Sequence, residues 1–247
     1  GLLLNYGITN INVSLYAGYT GLLNAHNVSI LNKEGSVDSI KNDFYSLCKP
    51  FIPISFGATF QQIFLQQSVS IFTDMFIDAS GKKDNRFYAT LALDGPFSQG
   101  LYYDFSTTLA SYTFKEIALY SKIKMHVFIT EYLYASAGFE YASGKNGALK
   151  PFKTFTSRPI VSAYESIETS GVMLPSLSIS GNFGDIYTSL DSKLLIDCAD
   201  SSVAVWGPEL VASIVYNLFY DVQFGLDGAA FWDLKNDGNF SNYSATL

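Results

Sequence analysis

Side chains able to do covalent chemistry are scarce in these 247 residues. The chain has two histidines, His26 and His126, two cysteines, Cys48 and Cys198, and two arginines, Arg86 and Arg158. His26 sits in the loop-like run Asn24-Ala25-His26-Asn27, with Ser29 nearby but at no spacing that makes a nucleophile–base pair. His126 is flanked by Met125 and Val127, and no serine stands two residues away to share its face of a strand. No G-x-S-x-G, H-E-x-x-H, C-x-x-C or P-loop spacing occurs. Carboxylates are plentiful, but spacing alone pairs none of them into an acid–base dyad. The expectation is a non-enzymatic protein without catalytic residues, cofactor or metal.

What the sequence does arrange is charge against grease. Residues 116 to 130 read E-I-A-L-Y-S-K-I-K-M-H-V-F-I-T. One parity holds Ile117, Leu119, Ser121, Ile123, Met125, Val127 and Ile129; the other holds Glu116, Ala118, Tyr120, Lys122, Lys124, His126, Phe128 and Thr130. Successive side chains of a strand point to opposite faces, so this segment has one apolar face and one charged face. Its length exceeds the usual soluble strand of about five or six residues. It suits a tilted strand that crosses a bilayer and rises above it.

Composition points the same way. Hydrophobic residues make up 48% and charged ones 15%, below the roughly 25% typical of soluble domains. Lipid or burial in an assembly would relieve that shortage. A formal charge of −7 with only two arginines argues against a nucleic-acid surface. No run of 18 apolar residues is present, which excludes a transmembrane helix within this sequence. Gly1-Leu2-Leu3-Leu4 lacks the basic leader and cleavage site of a secretory signal, so an exported protein would begin here after processing. Two cysteines are too few for a disulfide framework, and whether Cys48 and Cys198 pair stays open. N-x-S/T triplets at Asn12, Asn27, Asn239 and Asn242 are expected by chance in so Asn- and Ser-rich a chain.

The same alternation recurs along the chain. Ile11 to Tyr19 reads as a first strand. A short helix is expected over residues 36–49, with Ser36 as N-cap, Asp38 in the first turn, Val37, Ile40, Phe44 and Leu47 at helical spacing, and Pro50 as the stop. Strands follow over 52–64, 69–78 and 87–93, with a reversal at Ser80 to Asn85 and another at Asp94-Gly95-Pro96. Further strands are expected over 101–114, 116–130 and 133–141, then a turn at Ser143 to Gly147. Weaker ones fall over 152–166, 171–181 and 185–198. Pro208 to Phe219 fits either a helix or a strand; β-branched and aromatic residues favour the strand. The sum is an all-β, single-domain antiparallel transmembrane β-barrel of about 12 strands, with 10 to 14 accepted.

The passage Pro208 to Asp233, P-E-L-V-A-S-I-V-Y-N-L-F-Y-D-V-Q-F-G-L-D-G-A-A-F-W-D, resembles the closing hairpin of bacterial outer-membrane β-barrels. Glu209, Tyr216, Asp221, Phe224, Gly225, Gly228, Phe231 and Trp232 occupy the places of that pattern. The wider texture, rich in Phe, Tyr, Asn, Ser and Lys, is similar to barrels of spirochaetes and other diderm bacteria, with no single family matched. Such barrels commonly end on an aromatic residue, whereas this chain ends Tyr243-Ser244-Ala245-Thr246-Leu247. The mean hydropathy of +0.17 is high for a wide, water-filled pore and suits a narrow or plugged barrel, or else a β-sandwich subunit of an assembly.

The resemblance implies a porin-like channel or a structural surface protein of the bacterial outer membrane, with lipid and further copies or other envelope proteins as partners. Lipid would then face Ile117, Leu119, Ile123, Met125, Val127 and Ile129. The lumen would be lined by Glu116, Lys122, Lys124, His126 and Glu140, with Asp74 and Asp78 bringing opposite charge from another strand. These charged groups either select solutes or merely pair with each other. The alternative is an extracellular β-sandwich subunit of a filament, sheath or surface layer. In a sandwich the aliphatic parity would be the buried core, and the lysine side would be outside.

Overall fold

The computed structural model describes residues 1–19, 30–31, 37–38, 51–64, 66–79, 81, 83–145, 148–153, 170–198, 203–219, 222–234 and 239–246. It is all β. In chain order the strands are β1 (Leu2–Ile8), β2 (Ile11–Ala17), β3 (Ile30–Leu31), β4 (Val37–Asp38), β5 (Phe51–Phe64), β6 (Gln67–Asp78), β7 (Arg86–Ser98) and β8 (Leu101–Tyr112). They continue as β9 (Glu116–Phe128), β10 (Leu133–Ala142), β11 (Val172–Phe183), β12 (Ile186–Asp197), β13 (Ala204–Phe219), β14 (Val222–Asp233) and β15 (Asn239–Thr246). Apart from the small β3–β4 ribbon, all join one 13-stranded antiparallel sheet in sequence order.

A meander of neighbours follows from tight turns between long alternating segments, which need no crossover. Thirteen strands lie within the expected range. β1 and β15 are the two edges, and among the described residues no pairing joins them. Because direction reverses twelve times between the first and the thirteenth strand, these edges run the same way.

Prolines sit where a ladder can spare a donor. Pro96 lies beyond the β6–β7 pairing, which ends at Ser68 opposite Asp94, so only β8 flanks it. Pro53 lies past the last β2–β5 pair, Ala17 with Ile54. Pro208 precedes the first β13–β14 pair, Glu209 with Phe231. Pro175 falls in the gap of the β11–β12 register between Met173 and Ser176. A residue without an N–H costs least at such positions.

Several expectations need correction. Val37 and Asp38, placed in the first turn of a helix, instead pair with Leu31 and Ile30 as β4; residues 39–49 lie outside the described residues. The reversal expected at Asp94-Gly95-Pro96 does not occur, because β7 runs on to Ser98 and turns at Gln99-Gly100, where Gly100 has φ 77°. Ile11–Ala17 is the second strand; Leu2–Ile8 forms the first. β15 adds a strand beyond the hairpin that was expected to close the sheet. The expected strand over 152–166 is not seen at Phe152 and Lys153, and 154–169 lie outside the described residues. Pro208–Phe219 is strand throughout, within β13.

The sheet has two unlike ends. At one, the connections are brief: Thr9-Asn10, 65–66, Gln99-Gly100, 129–132, Gly184-Asp185 and 220–221. At the other lie the long ones, 18–50 and 143–171, with 79–85, 113–115, 198–203 and 234–238 between them. Near this long-loop end ten consecutive strands, β5 to β14, each contribute a side chain to one packed cluster. It includes Phe51, Phe76, Tyr88, Tyr112, Tyr120, Leu174, Leu195 and Phe231, with Trp206 against it. That face is the inner one.

Candidate functional site

β9 decides which face is inner. Ala118 is fully buried and Tyr120 is 9% exposed, while on the other parity Ile117 is 52% exposed and Ile123 42%. Met125, Val127 and Ile129 are also exposed and Leu119 is partly covered. Lys122, Lys124 and His126 share the inner face with Ala118 and Tyr120 and are half-buried. The exposed row continues across the sheet through register partners: Ile123 lies beside Phe139 and Phe105, Ile179 beside Leu190, and Ile71 beside Leu91. Even the hydroxyls of this outer face satisfy each other, Thr107 Oγ1 and Ser121 Oγ lying 2.8 Å apart. That removes the cost of an unpaired polar group against an apolar medium.

The inner face changes character along its length. At the long-loop end the chain leaves β10 at Ala142 and reverses across the stretch expected to turn, Ser143–Gly147, of which 146–147 lie outside the described residues: Leu149 pairs in parallel with Ile117 of β9, and Phe152 N donates to Ser143 O at 2.8 Å. Ser143 Oγ accepts from Leu119 N (2.9 Å) and donates to Lys150 O (2.7 Å), and Lys150 N donates to Ile117 O. The segment then runs under the aromatics. Tyr88 Oη donates to Lys153 O at 2.9 Å, and Lys153 N donates to Tyr112 Oη at 2.6 Å. Phe152 stacks on Tyr120 with centroids 5.5 Å apart and meets Tyr88 edge-on at 6.2 Å. Together these contacts seat residues 148–153 against the inner face.

Beyond Tyr120 the inner face turns polar. Lys122 stands opposite Glu140 on β10 and Ser106 on β8; Lys124 stands opposite Gly138 and Asp104. Yet the acids bind other groups. Glu140 Oε2 accepts from Tyr120 Oη at 3.3 Å, and Asp104 Oδ2 lies 2.8 Å from His126 Nε2. Among the described residues neither Lys122 nor Lys124 has a carboxylate within 4.0 Å. They border a recess of about 420 Å³, with Ser176 and Ser178 of β11 and Asp191 and Lys193 of β12. Asp191 and Lys193 were absent from the expected lining; their strand has a weak alternation, and it is the register across β10 and β11 that brings them to the same recess as β9's lysines. Ser and Thr fill much of the remaining inner face, as in the pairs Thr90–Thr108 and Ser70–Thr59.

The other expected lining residues lie elsewhere. Asp74 is on the inner face of β6 between Ser55 and Tyr88, separated from β9 by two strands. Asp78 organises the β6–β7 turn: its Oδ2 accepts from Asp84 N at 3.0 Å, and its own N–H donates to Asn85 Oδ1. Asp84 in turn holds Arg86, Oδ2 to Nη2 3.2 Å. Glu116 is exposed at the rim beside Lys150, 3.6 Å away. The geometry thus unites Lys122, Lys124 and Glu140, sets His126 on Asp104, and leaves Asp74, Asp78 and Glu116 outside the group.

Cys198 is a buried free thiol whose pKa burial raises, and Cys48 lies outside the described residues. Among the described residues no three His, Cys, Asp or Glu side chains gather to hold a metal ion. No model of a known protein family matches the chain, and comparison with curated proteins returns no match.

Proposed function

We propose that this protein is a β-barrel of the bacterial outer membrane, acting as a plugged channel or structural surface protein without enzymatic activity. The observation that carries the proposal is the inverted sheet: aliphatic residues stay outside while lysines, serines and carboxylates line the inside. A soluble sheet protein buries its apolar face, because each fully buried Ile or Leu is worth about 1.5–3 kcal/mol. An apolar outer surface this extensive needs lipid or protein to cover it.

Two further features support lipid. Short turns at one end and long loops at the other match the asymmetry of outer-membrane barrels. Exposed aromatics occur near the short-turn end, among them Phe97, Tyr132, Phe183 and Phe224, where an interfacial girdle would lie. The sandwich alternative requires Ile117, Ile123, Val127 and Ile129 in a core between layers. They are exposed on a single continuous sheet instead.

Heat-modifiable migration on gels, extraction only by detergent, and conductance steps in planar bilayers are the expected behaviours. Release into plain buffer as a monomer would contradict the proposal.

A further inference from the structure

We infer that Lys122 and Lys124 form an anion subsite for a small hydroxylated organic anion of the sugar-acid type, an assignment that rests on the inner face being a lumen. The whole chain carries −7, which by itself would favour cations. The local arrangement opposes that. Lys122, Lys124 and Lys193 outnumber Glu140 and Asp191 in the lining of the recess, and the two acids that face β9's lysines across the ladder, Glu140 and Asp104, lie against Tyr120 Oη and His126 Nε2. Two ammonium groups on one face of one strand, two residues apart, therefore meet the recess without a carboxylate in salt-bridge reach among the described residues.

The recess is shaped for a solute rather than for closure. About 420 Å³ falls in the range of small-molecule sites. Gly138 lets the Ser176 hydroxyl lie close over the strand: a Cβ there would come 2.7 Å from Ser176 Oγ, 3.4 Å from Ile123 O and 3.5 Å from Lys124 Cγ. Ser176 and Ser178 offer hydroxyls that donate and accept, and Asp191 accepts from hydroxyl donors. Lysine supplies a point charge with three donors, whereas bidentate clamping of an anion would call for arginine. That combination suits one negative group followed by a run of hydroxyls, held weakly enough to leave.

The test uses the full chain in detergent micelles, titrated calorimetrically with sodium gluconate and, separately, with glucose. Gluconate is expected to bind and glucose to give no heat. The double substitution Lys122→Gln with Lys124→Gln should weaken gluconate by about tenfold or more, the scale of a lost charge-assisted hydrogen bond. Lys122→Arg with Lys124→Arg keeps the charge and should stay within about threefold, which is under 1 kcal/mol. Gly138→Ala should weaken binding by displacing the Ser176 hydroxyl. Equal heats for glucose and gluconate, no gluconate binding by the wild type, or undiminished binding by the glutamine pair each overturn the subsite. The wild-type comparison needs no variant to fold. Binding in micelles is independent of conductance, so a protein that binds gluconate but never conducts defeats the channel proposal alone. One that conducts without binding it defeats the subsite alone.

Discussion

Tyr120 and Lys122 are neighbours on the same face of β9, yet they belong to two differently built halves of the inner surface. Around Tyr120, rings from β7 and β9 close on Phe152, and the hydroxyls of Tyr88 and Tyr112 are bonded to the backbone of Lys153. Around Lys122 the charges outnumber their contacts and a recess remains. One half is filled by the inserted segment, and the other keeps a recess. The difference teaches that an inward-facing position does not have one job: its role depends on whether the chain supplies an internal occupant.

Breaking the filled half should have the largest effect. Phe152→Ala removes a ring that is 5% exposed from between Tyr88 and Tyr120, and should cost about 3–5 kcal/mol in reversible unfolding from lipid vesicles. A loss under 1 kcal/mol would mean that residues 148–153 are not seated as described. Changing the outer face comes next. Ile123→Arg should cost about 2–4 kcal/mol in a bilayer, the depth-dependent penalty for charge on the lipid side. On the inner face Lys122→Gln should stay within about 0.5 kcal/mol, like other substitutions away from packed features. Equal costs for the two would erase the distinction between faces. Tyr88→Phe keeps the ring and removes only the bond to Lys153 O, so about 1 kcal/mol is expected. A penalty as large as that of Phe152→Ala would show that the hydroxyl, rather than ring packing, seats the segment.

Much of the sheet was legible because period-two alternation is a direct imprint of two unlike surroundings. β9 is the clearest case, and the polar run at Ser80–Asn85 announced its turn. Other features were hidden for identifiable reasons. The β8–β9 reversal passes through Thr113 and Phe114 with φ 52° and 57°, a turn in which Asn-Gly is the usual marker. Gly95-Pro96 looked like a stop because a proline usually ends a ladder. Here it lies on an overhang flanked by one strand only. β1 alternates Leu2, Leu4, Tyr6 and Ile8 with Leu3, Asn5 and Gly7, but three consecutive leucines blur the period. The inserted segment left no periodic trace, since its anchors are backbone groups and one phenylalanine. The site was half legible: a single strand lists its own lysines, while the partners on β12 depend on register across three strands.

The central claim is that β9 separates lipid from lumen. Single cysteines placed along 117–127 of a Cys48→Ser, Cys198→Ser background, reconstituted in liposomes and exposed to a membrane-impermeant maleimide, test it most directly. The account predicts fast labelling at 122, 124 and 126 and protection at 117, 123, 125 and 127, with the protected set reacting only once the protein is denatured. Fast labelling of 117, 123, 125 and 127 with protection of the lysine parity would contradict it outright.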